Sequence, residues 1–253
     1  EFLALLLDDE IERRLHYRLT RRTREASLDP SKTLARFDFS AAPQISKSLI
    51  ADLALCHFVE RGDNLILAGQ TGTGKSHLAQ ALALEALKHG YRALCRPTHS
   101  LLASLHARRA DGSFLRYRKY LTSVDLLILD DFGLVPLPPQ SVEDLYDLIR
   151  ERYESKSIIL TSNRAPEEWH EVFNNPLLAS AALDRLTHHA HIILITGSSY
   201  RQKQKKEKQY PNPLPHLISK EVITLCHNDE QGLIFKPQLD SPPRVAHIGR
   251  SEV

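Results

Sequence analysis

The chain has 253 residues, of which 33 are basic and 31 acidic, leaving a formal net charge of +2, so bulk charge singles out no class of partner. A composition 42% hydrophobic and 25% charged is that of a globular protein with one α/β domain and appendages, or two small domains. Its three cysteines, Cys56, Cys95 and Cys226, form no Cys-x-x-Cys pair and no metal-ligand spacing with the histidines, which predicts reduced thiols in a cytoplasmic protein.

The apolar run at residues 2–7 is too short for a membrane span and nothing longer follows, so no membrane partner is expected. The chain contains no methionine, and residue 1 reads as a boundary rather than a natural start. Residues 1–28 predict a helix, because Leu3, Leu6, Leu7, Ile11, Leu15 and Leu19 recur near the 3.6 period. The opposite face carries Arg13, Arg14, Arg18, Arg21, Arg22 and Arg24. Asp29-Pro30-Ser31 breaks this helix. Residues 33–43, containing Phe37-Asp38-Phe39, read as an ordered connector, and a second helix over 46–60 runs into a turn at Arg61-Gly62-Asp63.

From there strand and helix alternate. Residues 64–68 form a short apolar strand, 69–74 a glycine-rich loop and 75–89 a helix stopped by Gly90. A second strand is expected over 91–96, then helix over 98–122 interrupted at Asp111-Gly112, and a third strand over 124–129. A helix over 140–154, a strand over 157–161, a helix around 178–186 and a strand over 190–195 complete the pattern. Buried apolar strands alternating with helices predict a parallel five-stranded α/β sheet covered on both faces. After Lys208 six prolines and no sustained period predict a loosely ordered tail, with one strand-like run at 222–226. The predicted organisation is a helical N-terminal region and connector over 1–45, a core over 46–208, and the proline-rich tail over 209–253.

Three motifs carry chemistry. Gly69-Gln70-Thr71-Gly72-Thr73-Gly74-Lys75-Ser76 matches G-x-x-x-x-G-K-[ST] at every fixed position, between a strand and a helix where the motif has its meaning. Glycines let backbone N–H groups turn toward phosphates, and the helix N-terminus favours anions. Lys75 is expected on the β- and γ-phosphates and Ser76 on Mg²⁺, with His77 completing the nucleotide-binding set; ATP and Mg²⁺ are the cofactors implied. The strand Leu126-Leu127-Ile128-Leu129 ends in Asp130-Asp131. Such a pair is by itself equally a solvated acidic turn. Beside an intact phosphate loop it predicts Asp130 as metal ligand and Asp131 as the group that orients or deprotonates the attacking water, because ligands in these sheets gather at the carboxyl ends of strands. The next strand ends in Thr161-Ser162-Asn163, and Asn163 is a candidate to fix that water, although Asn is also common in turns.

This series resembles the AAA+ ATPases. Leu126 to Gly133, Leu160 to Arg164 with Trp169 and Phe173, Asp184-Arg185-Leu186, His188-His189, Gly197 to Arg201 and the Phe37-Asp38-Phe39 connector are together similar to one branch, the IstB-like insertion-sequence ATP-binding proteins. These are relatives of DnaC-type helicase loaders and of the initiator DnaA. The resemblance covers residues 2–205 and implies an AAA+ core behind a small helical N-terminal region. It implies a cytoplasmic ATPase that assists transposition: a homo-oligomer sharing its ATP sites, binding double-stranded DNA and recruiting or stimulating a transposase. Helicase loading, or nucleotide-gated DNA binding without hydrolysis, are the alternatives. By the same likeness Arg185 is the arginine finger reaching a neighbour's γ-phosphate and Arg201 a second nucleotide sensor. Asp131 departs from the glutamate most AAA+ ATPases carry, which implies slow turnover. The DNA-binding candidates are Arg21, Arg22 and Arg24, with a second cluster of Arg108, Arg109, Arg116, Arg118 and Lys119 in the insertion where initiator-type relatives contact DNA. Charged outer faces of amphipathic helices are the ordinary alternative. Tyr117 and Tyr120 interleave the second cluster and could stack on bases.

Overall fold

The computed structural model describes residues 2–197 and 199–200, with side chains from Leu7 onward. The tail over 209–253, its strand-like run and Arg201 lie outside the described residues. No helix among the described residues is long and apolar enough to cross a membrane.

The helices are α1 (Phe2–Glu25), α2 (Lys47–Ala54), α3 (His57–Arg61), α4 (Lys75–Lys88), α5 (Thr98–Ala110), α6 (Phe114–Ser123), α7 (Pro139–Arg152) and α8 (Pro176–Thr187). The strands are β1 (Asn64–Gly69), β2 (Ala93–Pro97), β3 (Leu126–Phe132), β4 (Ser157–Ser162) and β5 (Ala190–Ile195). All pairings are parallel, in the order β2-β3-β4-β1-β5. Alternation along each strand sends side chains to two cores. Leu65 and Leu67 of β1 pack with α2, α3, α4 and the connector, while Ile66 packs with α5, α7, α8 and Trp169.

The predicted single helix over 46–60 is two helices. Cys56 sits between them in the left-handed region at φ 61. In a straight helix of 100° per residue, Phe58 and Val59 would lie about 80° and 180° around from Ile50. The break turns all of them, with Leu53, into one core, where each is at most 5% exposed. Cys56 and Cys95 are both buried, and burial pushes their thiols up to about 11 and about 12.

The expectation of a sheet covered on both faces fails at β5. Ile193 and Ile195 are buried against the α2–α4 layer, but Ile192 and Leu194 are 48% and 56% exposed. Among the described residues the helices on that face cover the middle strands and leave these two side chains of the edge strand open. Arg152, the last residue of α7, is 0% exposed. Its guanidinium donates to the carbonyls of Leu121, Val124 and Ser157 at 2.6–2.9 Å, tying the end of α6 to the starts of β3 and β4. Burial pulls its pKa down to about 9, opposed by the charge of Asp125.

Candidate nucleotide site

The carboxyl end of β1 delivers the phosphate loop. Gly69 has φ 144, and a Cβ there would lie 2.0 Å from the carbonyl oxygen of Ile195 on β5. Gly72, at φ 85, would meet the Ser199 hydroxyl at 2.2 Å. These two positions therefore demand glycine on both backbone and contact grounds. Lys75 is 5% exposed. Its ammonium donates to the carbonyls of Gly69 and Gln70 at 2.8 and 2.7 Å, and Thr73 Oγ1 donates to Gln70 at 2.8 Å, so the loop is braced by its own side chains.

The loop meets β3 through one carboxylate. Ser76 Oγ donates to Asp130 Oδ1 at 2.8 Å, and Thr161 Oγ1 at the end of β4 donates to the same oxygen. Thr161 Oγ1 in turn accepts the Asp131 N–H at 3.0 Å. This junction depends on an irregularity. Leu129 pairs with Leu160 but Phe132 pairs with Ser162, so three steps on β3 face two on β4. The extra residue bends the strand, and Asp131 adopts φ 54, which turns its carboxylate away from its neighbour and into the cleft. Below the bulge Ser162 Oγ donates to Phe132 O at 3.0 Å and accepts the Trp169 indole N–H at 3.2 Å, locking the two strand ends together.

A cleft of ≈ 490 Å³ opens above this junction, within the range of small-molecule sites. The loop, Ser76, His77, Asp131 and Asn163 line one side of it. The connector forms the facing wall with Lys32, Arg36, Phe37 and Asp38. Phe37 packs where a Cβ on Gly74 would come within 2.9 Å of its ring, and its ring meets that of His77 edge-on at 5.5 Å. His77 Nε2 lies 2.9 Å from the Thr33 carbonyl, and Asp29 N–H donates to Gln80 at 3.0 Å, so the connector is fastened to α4. The Tyr200 N–H donates to Gly72 O at 3.0 Å, bringing the segment before Arg201 to the loop.

The residues present fit a magnesium nucleotide. The loop opens onto the N-terminus of α4, which favours anions, and Ser76 with Asp130 supplies the hard oxygen donors Mg²⁺ requires. Sequence reasoning brought Lys75, Ser76, His77, Asp130, Asp131 and Asn163 to this place. It did not assign Thr161, whose hydroxyl joins the two aspartates, nor the cationic wall of Lys32 and Arg36. The only available signal for Thr161 was its position at the end of a buried strand.

Arg185 lies elsewhere. Asn64, the first residue of β1, donates from Nδ2 to Leu186 O at 3.2 Å, which places the end of α8 at the amino edge of the sheet. The six residues of β1, rising about 3.3 Å each, separate that edge from the chain's own phosphate loop by roughly 16 Å. The half-buried Arg185 guanidinium donates to Ala181 O at 2.7 Å and lies 5.6 and 5.9 Å from the ring centres of Tyr146 and Tyr153.

The basic cluster on α5 and α6 divides. Arg109 pairs with Asp144 and covers the Phe114 ring, Arg118 pairs with Asp147 at 3.2 Å and with Glu151, and Arg108 lies 4.2 Å over Tyr117. These bind α5 and α6 to each other and to α7. Arg116 and Lys119 are exposed and enter no ion pair among the described residues. On α1, Arg21 pairs with Glu25 at 3.4 Å, Arg22 donates to Gly90 O at 3.3 Å, and Arg24 is exposed.

Comparison with known proteins agrees with this architecture. The family described as IstB-like ATP binding protein matches residues 1–208. A Pseudomonas aeruginosa protein named for ATP binding in insertion sequence IS21 is 39% identical over 207 residues, 82% of this chain and 78% of its own. A Mycobacterium tuberculosis protein named in the same terms for an insertion sequence is 41% identical over 207 residues, 81% of this chain and 82% of its own. Among solved structures, AMPPCP-bound DnaA from Aquifex aeolicus has a TM-score of 0.59 at 24% identity, over 76% of this chain and 59% of that one. The DnaC helicase loader has a TM-score of 0.51 at 23% identity, over 58% of this chain and 86% of that one. The present chain thus spans about three-fifths of the initiator and shares its fold. The chain belongs to the IstB-like ATP-binding family and has the AAA+ fold.

Proposed function

We propose that this IstB-like ATP-binding protein hydrolyses ATP as a DNA-bound homo-oligomer and thereby brings a transposase to target DNA, or stimulates it there. The observation that carries the hydrolytic part is the junction of Ser76, Asp130, Thr161 and Asp131 at the mouth of the phosphate loop. Ser76 and Asp130 would hold Mg²⁺, which supplies positive charge to the phosphates when bound. Lys75 binds the β- and γ-phosphates, exchanging loop carbonyls for phosphate oxygens. Asp131 accepts a proton from the attacking water while the Asn163 amide orients it, so that water adds to the γ-phosphorus and ADP leaves. Arg185 of a neighbouring copy reaches the γ-phosphate, which its distance from its own loop favours. Loss of the γ-phosphate removes the anion holding Arg185 and loosens the assembly.

The transposition role rests on the insertion-sequence relatives at about 40% identity. DNA contact is assigned to Arg116 and Lys119 with support from Arg24, because exposed unpaired cations are available to neutralise phosphates. The test is ATP turnover against protein concentration, with and without duplex DNA, for the wild type, Lys75→Ala and Arg185→Ala. Turnover per chain that rises with both concentration and DNA, and is lost in both variants, is the expected result. A rate per chain independent of concentration, with Arg185→Ala harmless, would sink the shared site.

A further inference from the structure

We propose that Glu154, His188 and His189, at the amino edge of the sheet, form a binding site for a transition-metal ion of the Zn²⁺, Co²⁺ or Ni²⁺ class. The two turns that carry them, one between α7 and β4 and one between α8 and β5, are neighbours because β4 and β5 flank β1. Asn64 at the start of β1 clamps both: its Oδ1 accepts the Ile158 N–H at 3.0 Å while its Nδ2 donates to Leu186 O at 3.2 Å. One potential ligand atom from each of the three side chains lies within 4.8 Å of the others. His188 Nδ1 is 3.9 Å from Glu154 Oε1, and the two imidazole ring centres are 3.9 Å apart.

Ligand atoms about 2.0–2.2 Å from a common ion stand roughly 3–3.5 Å from one another. Small side-chain rotations of these exposed residues close the remaining gap. Two imidazoles and one carboxylate select a borderline ion over Mg²⁺, which requires oxygen donors. Three protein ligands leave a further position for water. The Tyr153 hydroxyl lies 2.7 Å from His188 Nδ1 and competes with an ion for that nitrogen.

The site is wired to Arg185. The ring of Tyr153 lies 5.9 Å from the Arg185 guanidinium. An ion that takes the Nδ1 lone pair displaces the Tyr153 hydroxyl and frees the ring on which Arg185 rests. Occupancy would therefore shift the guanidinium assigned to a neighbour's phosphate, from an edge roughly 16 Å from the chain's own nucleotide cleft.

The test is calorimetric titration of the full chain with Zn²⁺ in excess Mg²⁺, without nucleotide, so that it stands or falls apart from the ATPase reading. One saturable equivalent is expected in the wild type and in Lys75→Ala. His188→Gln with His189→Gln should weaken uptake at least about tenfold with thermal stability unchanged, and Glu154→Gln should weaken it less. Absence of saturable uptake, or uptake unaltered in the double histidine variant, overturns the proposal. A readout of Tyr153 fluorescence or chemical shift that moves with Zn²⁺ in the wild type and not in the double variant would establish the link toward Arg185; no movement would refute that link.

Discussion

Thr161 makes the two aspartates of β3 act as a unit. Its single hydroxyl donates to the Asp130 carboxylate and accepts from the Asp131 backbone. Removing it leaves a part-buried carboxylate short of one donor and an N–H without its acceptor, a loss that falls on orientation rather than on nucleotide binding. Thr161→Ala should raise the Mg²⁺ concentration needed for half-maximal turnover by about 10–100-fold while leaving nucleotide affinity without metal unchanged, and Thr161→Ser should restore most of it. Turnover titrated with Mg²⁺ checks this. By contrast Asp131→Asn should retain ATP binding and lose turnover by about 10²–10⁴-fold, because the amide accepts no proton; single-turnover kinetics with a binding control separates the two effects. The phosphate loop and Asp130-Asp131 were legible in the sequence because their chemistry is local: each motif is a contiguous run whose residue types suffice. Thr161 was not, because its partner lies 31 positions away and the meeting depends on strand register and on a bulge that apolar periodicity does not reveal.

At the level of elements, the same reasoning explains which helices and strands could be read. Strands of four or five apolar residues announce themselves, but their bounds shift: β2 starts at Ala93 rather than 91, and β3 starts at Leu126 rather than 124 and runs past Asp130-Asp131 to Phe132. The break at Cys56 was hidden because a cysteine gives no turn signal, and only burial on both sides of it forces the left-handed residue. The division of the basic cluster was hidden for a related reason: an arginine paired with α7 and one facing solvent look alike in sequence. It yields a paired prediction. Arg116→Glu with Lys119→Glu should lower duplex affinity, reduce the salt slope by about 2 and leave thermal stability within about 0.5 kcal/mol. Arg109→Ala should instead destabilise the chain by about 1–3 kcal/mol, since it strands Asp144, which is 7% exposed, beside the α5–α7 contact. Salt-dependent DNA binding and thermal melts on both variants test the division. Asp125 offers a pH-dependent counterpart at the strand starts. Burial works to raise its pKa, but the Lys156 ammonium and the Arg92 N–H outweigh it and hold the carboxyl below its ordinary value. Its contribution to stability is present above the unfolded-state value and is lost as pH falls through the folded one. Asp125→Asn should therefore lower the melting temperature at neutral pH and flatten its decline on acidification, as melts across pH 2–6 would show.

Over the whole molecule the sheet separates two chemistries. Phosphate-binding groups stand at its carboxyl edge, and Arg185 stands at its amino edge, fixed there by Asn64 and by the tyrosines of α7 and β4's entry turn. No rotamer of Arg185 spans β1, so a role at phosphate requires a second copy, joined head to tail. Such heterologous contact repeats into a ring or a filament. The consequence is a complementation experiment. On the proposed reading, Lys75→Ala chains lose nucleotide but still present Arg185, while Arg185→Ala chains keep nucleotide but present no finger. Each alone should be inactive. Mixed in equal amounts, a random assembly puts an intact loop against an intact finger at roughly one interface in four, so DNA-stimulated turnover should recover to about a quarter of the wild-type rate. Mixing that restores nothing, while both variants still assemble on DNA, would mean that Arg185 acts within its own chain's fold, and its contacts with Tyr146, Tyr153 and Ala181 would then be its whole role.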